Sequence, residues 1–432
     1  MVTTKGRYLL TKAYLQVTSS IAFYPVMITL GMLSLSWCIV YLDEISVGSY
    51  LINKVPFLRI DNASTATSLL SSLLTGLISL VTFSFSMVMI VLTQIMSSFS
   101  PRLIPDLAKQ KGNQMVLGII MGTICFITVI LSNIQTMPKG PEVPLLSVVL
   151  AMFLAFSCLI TFIYFIHKVS NDIQIGNIVN RIYRTTRRVL DTEHSSGNYY
   201  EQWKEEEEFI TIKAWESGYF NAITQDHFMI RARKLNLKLK LLKIQGMYVL
   251  KGDPFLQINQ PMNDDIMKLL EENIILRHQE LVGDNFLYGF KHLTEIAVKA
   301  LSPAVNDPGT AINAIDYLSD LFTRLQRLTG QKVTQSEDGA AVIVYSTIPF
   351  EWVFYLCMAS IRPYSTQDVT VQSRLIDLLV KISQRDKHQA HRTLIEKELT
   401  SIESGSSKEM TSEEDIAYIR ALVQNAREQM HV

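Results

Sequence analysis

The chain has 432 residues, 40 Lys and Arg against 40 Asp and Glu, and four cysteines. A neutral chain lacks the broad basic footprint that phosphate backbones require, which argues against a nucleic-acid partner. Cys38, Cys125 and Cys158 fall inside apolar runs and Cys357 in an amphipathic stretch, so the sequence predicts buried free thiols and no disulfide framework or metal site. The neutral total hides a split, since residues 1–167 carry nine basic and five acidic side chains and the remainder 31 and 35. The two parts are built for different solvents, and the length accommodates a membrane domain and a separate soluble one.

Residues 1–19 contain Lys5, Arg7 and Lys12 without an acid, and an apolar run over residues 20–42 follows. That run is too long for a cleaved signal peptide and is expected to be a retained first span entered from the cytoplasm. Trp37, Tyr41, Asp43 and Glu44 suit the interface at its far end.

The stretch from Asn62 to Pro101 holds no Asp, Glu, Lys, Arg or His, and the second span is placed at residues 66–100. A helix of this length exceeds the roughly 30 Å of bilayer hydrocarbon. Ser68, Ser72, Thr75, Ser79, Thr82 and Ser86 recur at steps of three and four. After a gap at Met89 and Ile90, Thr93 and Ser97 resume the register. One helical face is therefore drawn in hydroxyls. Two readings stay open: small polar residues that let helices approach and cross-link, or a pore-lining face around a hydrated axis, with Met89 and Ile90 as an apolar constriction.

Spans at residues 114–133 and 145–167 follow, joined by a Pro/Gly turn, which gives a four-span domain over residues 20–167. Basic residues after the second and fourth spans place those ends in the cytoplasm, together with both termini, so the expectation is a multi-pass protein of the cell inner membrane. Arg181, Arg184 and Arg188 share a helical face suited to anionic headgroups, in a juxtamembrane helix and linker over residues 168–215. No span carries an ionisable residue deep in its apolar run, which disfavours a proton-coupled carrier.

Residues 216–432 read as a cytoplasmic α+β domain. The strict alternation of residues 235–241 marks a half-buried strand. With turns at Gln245-Gly246 and Gly252-Asp253-Pro254 it suggests a small barrel-like β module. The run GMYVLKGDPFLQI resembles biotinyl and lipoyl barrel-sandwich domains, yet no modifiable lysine hairpin accompanies it, so no cofactor is expected.

In DNFLYGFKHLTEIAVKALSPAVNDPGTA, residues 284–311, a helix must stop before Pro303, Asp307 caps the next one and Pro308 occupies its first position. Asn306 can fold back on the turn. This run, the Gly-Asp-Pro turn and the IRPY at residues 361–364, which includes Arg362, resemble an uncharacterised bacterial family of predicted membrane proteins. The resemblance implies the same topology and carries no activity. The motif is either a rigid corner or a place where Asn306, Asp307 and Thr310 meet an ion, a small ligand or a neighbouring subunit.

A strand at residues 341–346 and helices at 350–361, 369–382, 388–402 and 413–430 complete the pattern, with Ser404 to Ser407 as a linker. His388 and His391 read as surface histidines, and Asp316 and Asp320 as a solvated face. Without a phosphate loop, nucleophile elbow or zinc-protease helix, no enzyme is expected. The leading expectation is a homo-oligomeric, channel-like protein in contact with membrane lipids, its second span lining the path. The alternative is a membrane-anchored sensor or scaffold that does not conduct.

Overall fold

A computed structural model describes residues 22–45, 60, 62–98, 111–134, 143–172, 174–195, 198–200, 203, 208–277, 285–328, 330–386 and 389–430. These residues form two compact units that divide at residues 174/175. The N-terminal residues 1–19 expected in the cytoplasm, and His388, lie outside the described residues.

Among the described residues the first unit holds four helices, α1 (Phe23–Glu44), α2 (Ala63–Ser98), α3 (Lys111–Asn133) and α4 (Leu145–Asp172). All four are long and apolar enough to cross a membrane. At 36 residues α2 reaches about 54 Å, well beyond the hydrocarbon thickness. The core between the helices is Leu70, Leu77, Ile120, Phe126, Ile127 and Phe165, all buried.

Two contacts in this unit carry more than apolar packing. Gly118 and Gly122, one turn apart on α3, face α1, where a Cβ on Gly118 would stand 3.0 Å from Pro25 Cα and one on Gly122 would stand 2.7 Å from Met32 Cγ. The G-x-x-x-G spacing thus lets two backbones approach, the usual device where lipid competes as well as Leu for apolar contacts. Asp43 is not at a solvated interface, as its position at the end of the first span suggests, but 1% exposed. Its carboxylate accepts from Ser147 N at 2.8 Å, Ser147 Oγ at 2.6 Å and Leu146 N at 3.1 Å. The end of α1 therefore caps the start of α4, satisfying amides that its own chain leaves open. The thiols also differ from expectation: Cys158 and Cys357 are buried, Cys125 is intermediate, and Cys38 is exposed on α1.

The second unit begins with α5 (Ile175–Ser195), whose buried stripe Ile178, Ile182, Thr186 and Leu190 packs on later helices. Then come β1 (Asn198–Tyr200), β2 (Ile210–Lys213), β3 (Gly218–Ile223), α6 (Gln225–Lys234), β4 (Lys238–Leu241), β5 (Tyr248–Val249) and β6 (Pro254–Ile258). They are followed by α7 (Asp264–Asn273), β7 (Ile274–Arg277), α8 (Phe286–Ala300), α9 (Pro308–Leu325), β8 (Gln331–Gln335) and β9 (Val342–Ser346). The chain finishes with α10 (Phe350–Ser365), α11 (Val369–Arg385), α12 (Arg392–Glu409) and α13 (Glu413–Met430).

The strands form an open six-stranded sheet, ordered β1-β8-β9-β4-β6-β2, and a three-stranded sheet, β5-β3-β7. Among the described residues only the β4/β9 pairing is parallel. The barrel-like module expected from residues 235–258 is therefore corrected. Local turns bring β4 and β6 together, but β5 joins β3 in the other sheet, and β4 takes its second neighbour from residues a hundred positions later. The alternation of residues 237–241 survives intact, with Leu237, Leu239 and Leu241 buried beside Phe220, Phe228 and Phe255. On the helical side, Phe290, Phe322, Phe350 and Phe354 form a run of ring contacts with centroids 5.0–5.8 Å apart.

Three more local expectations are revised. Ser404 to Ser407 lie within α12, where a helical frame set by buried Leu399, Ile402 and Ser406 overrides low propensity. His391 is 5% exposed and sits on the Phe350 ring, with Asp386 and Glu351 each 3.3 Å from one ring nitrogen. Asp320 accepts from Tyr183 Oη and Arg324 Nε at 2.8 Å, and Asp316 pairs with Arg374 at 3.1 Å, so neither acid belongs to a merely solvated face.

Candidate functional site

On α2, Ser68, Ser72, Thr75, Ser79, Thr82, Ser86, Met89, Ile90 and Thr93 are all exposed, while Ala66, Leu70, Leu77 and Ser84 turn inward. The stripe therefore lies on the side of the helix that its own bundle does not cover. The side chain of Ser97 lies outside the described residues. The hydroxyls of Ser72, Thr75, Ser79, Thr82, Ser86 and Thr93 each donate to the carbonyl four residues back, at 2.9–3.0 Å. Donation to their own backbone makes these hydroxyls tolerable in an apolar medium, and the oxygen lone pairs still accept from outside. At the gap the surface changes character: Met89 is 47% and Ile90 70% exposed.

The 301–310 corner is built as its residues dictate. Asp307 N donates to Ala300 O at 2.8 Å, closing the end of α8, and Asn306 adopts a left-handed φ of +48°. Asp307 Oδ1 accepts from Thr310 N at 3.1 Å and Oδ2 from Thr310 Oγ1 at 2.6 Å. Bonds from the Thr310 hydroxyl and backbone hold the Asp307 carboxyl below its ordinary range, against a smaller opposing effect of burial. The positive end of α9 is thus already met by the chain's own carboxylate. Pro303 and Asn306 are exposed, and Pro308 is half-buried at the first helical position.

Arg362, in the IRPY run, lies 3.2 Å from the buried Glu398 and ties α10 to α12. Burial pushes the Glu398 carboxyl upward and Arg362 pulls it back. On α5, Arg184 and Arg188 are exposed and Arg181 half-buried, away from the stripe that packs on α8 and α9. That packing is tight, because Gly289 on α8 leaves just the space that Thr186 occupies. Tyr183 stacks on Tyr317 with ring centroids 4.4 Å apart. Burial works against ionisation of Asp320, but bonds from Arg324 and Tyr183 outweigh it and keep the carboxyl below its ordinary range.

A feature not anticipated from the sequence is a cavity of about 270 Å³ within the second unit, lined from α5, both sheets and the start of α8. Lys332, 6% exposed, places its ammonium 2.6 Å from Glu193 and 5.7 Å from the centre of the Tyr345 ring. Tyr199 donates to the Glu193 backbone carbonyl at 3.0 Å, and burial, then the Glu193 charge, raises its phenol far above the ordinary value. Asn285 caps α8 through Oδ1, accepting from Leu287 N at 2.8 Å. These residues lie far apart in sequence, and among them only Asn285 falls in a run whose capping role is readable beforehand.

A family model described as a predicted membrane protein (DUF2254) matches residues 18–381. Uncharacterised proteins of Mycobacterium bovis and of two Mycobacterium tuberculosis strains are each 24% identical over 358 residues, covering 80% of this chain and 68% of the relative. No solved structure matches.

Proposed function

The chain belongs to the DUF2254 family of predicted membrane proteins, and we propose that it is a homo-oligomeric, channel-like protein of the inner membrane. In this reading copies of α2 surround an axis and turn the residue 68–93 hydroxyls toward it, while the second unit stands in the cytoplasm as an assembly or regulatory domain. The supporting observation is the exposure of the stripe from Ser68 to Thr93 from its own bundle. A face of small hydroxyls lets helices approach closely, and lone pairs directed at a shared axis suit water and ions. The exposed Met89 and Ile90 would then narrow the path by an apolar ring. Membrane lipids and further copies of the chain are the partners, and no catalytic step or cofactor is assigned.

The test is ion flux into liposomes containing only this protein. Thr82→Trp or Ser86→Trp, which fill the axis without touching the chain's own core, are expected to lower flux at least about tenfold. Oriented, oligomeric wild-type protein that leaves the liposomes silent overturns the reading. The second reading, a membrane-anchored sensor or scaffold without conduction, is favoured by the cavity of the second unit. Under it, stripe substitutions leave function intact and substitutions in the second unit abolish it.

A further inference from the structure

The cavity of the second unit shares no residue with the α2 stripe, and its lining is selective. Its volume of about 270 Å³ is near the lower end for small-molecule sites and suits one ring or a short chain better than a nucleotide. Ile223, Leu241, Leu328 and Ile348 supply an apolar wall from buried side chains.

The polar part leans toward one negative charge. Lys243 and Lys332 line it against a single carboxylate, Glu193. Lys243 also meets Asp253, at 3.3 Å, but with both side chains about one-third exposed that ion pair is weak and screened. The N-terminus of the 15-residue α8 opens here through Asn285 and Phe286, and a helix start favours an anion. Asn285 adds an independent sign: it is 3% exposed, its Oδ1 is used in capping, and its Nδ2 has no hydrogen-bond acceptor among the described residues. A buried amide donor calls for an acceptor.

We propose that this cavity binds a small organic monoanion, a carboxylate carrying an apolar body. The carboxylate sits at the start of α8, accepts from Asn285 Nδ2 and meets the Lys243 ammonium, whose pair with Asp253 is weak and screened. The body lies on Ile223, Leu241, Leu328 and Ile348. A neutral analogue would forgo the charge that the helix start and Lys243 favour. Glu193, through its bond to Lys332, keeps α5 fastened to β8 beside the ligand. The site stands whether or not the protein conducts.

Equilibrium dialysis of the full chain in detergent, with radiolabelled benzoate and hexanoate as probes, tests it. Benzyl alcohol, hexanol and inorganic phosphate are the comparison arms. Saturable binding of at least one carboxylate is expected, with the alcohols and phosphate at least about tenfold weaker. Asn285→Asp keeps the capping oxygen but replaces the donor with a charge, and should lower carboxylate affinity at least about tenfold while the unliganded melting temperature holds. Ala222→Leu, which fills the cavity from β3, should do the same by volume. Folded wild-type protein that binds neither carboxylate, alcohols or phosphate that bind as well, or an Asn285→Asp variant of unchanged affinity each overturns the proposal. Silent liposomes would leave it standing, and failure to bind benzoate and hexanoate would leave conduction standing.

Discussion

The pairing of α1 with α3 and the outer face of α2 use the same kind of residue to opposite ends. On α3, Gly118 and Gly122 are filled positions, where the neighbouring backbone and side chains of α1 occupy the space a Cβ would need. On α2, Gly76 has nothing within 4 Å of where its Cβ would stand, and the hydroxyls around it are exposed. Lipid gives helices no hydrophobic reason to associate, so small residues act by permitting close approach. One set of them is used inside the chain. The other is left exposed by its own bundle.

The largest expected effect breaks the first half of this contrast. Gly118→Leu forces a branched side chain against Pro25 Cα, 3.0 Å from the position of its Cβ, and overpacking of this kind should cost about 3 kcal/mol. Gly76→Leu, in open space, should leave the isolated chain as stable or raise its stability by up to about 1 kcal/mol, since glycine is the poorer helix former. Thermal unfolding of the two variants in detergent measures the difference. Equal melting temperatures would mean that the α1/α3 contact is no tighter than the open face of α2.

A middle-sized effect sharpens how the bundle is closed. Asp43→Ala removes the acceptor for two amides and a hydroxyl at the start of α4, and the loss of cap and partners should cost about 2 kcal/mol. Asp43→Asn retains an acceptor oxygen and should lose roughly half as much. If the alanine variant melts like the wild type, the start of α4 is satisfied by other means and the contact between helix ends is incidental.

What could be read beforehand follows the range of the interactions concerned. The four spans were legible because each is a long apolar run, and the 301–310 corner because Pro303, Asp307 and Pro308 act within a turn or two of themselves. The hydroxyl stripe was legible as a face, since helical spacing alone defines it, but spacing cannot tell which way a face turns. The Gly118/Gly122 spacing was present to be noticed, and its significance depended on α1 lying against it. The barrel-like reading failed because adjacent turns report only on adjacent strands, while Lys238 pairs with Val342 across the chain. Glu193, Asn285 and Lys332 fall in one cavity through contacts equally remote in sequence. Asp43 escaped for a related reason, since a carboxylate at the end of a span looks solvated until the helix it caps is known.

The smallest expected effect is the most discriminating for α2. In the combined variant Ser72→Ala, Ser79→Ala and Ser86→Ala, each lost hydroxyl bonds, among the described residues, its own helix alone, at the carbonyl four residues earlier. Such back-bonding slightly opposes the helix, and alanine is the better helix former, so the stability of a single chain should move by a few tenths of a kcal/mol at most. If the stripe meets another copy, the same variant should weaken the assembly and shift its mass distribution toward smaller species at equal concentration, because interhelical hydrogen bonds in membranes average about 0.6 kcal/mol each and add over symmetry-related contacts. Mass photometry and thermal unfolding on one preparation separate the two quantities. A falling melting temperature with unchanged assembly would place the stripe's partners inside the chain, against the outward orientation of α2. Unchanged melting with a smaller assembly would put them on a second copy.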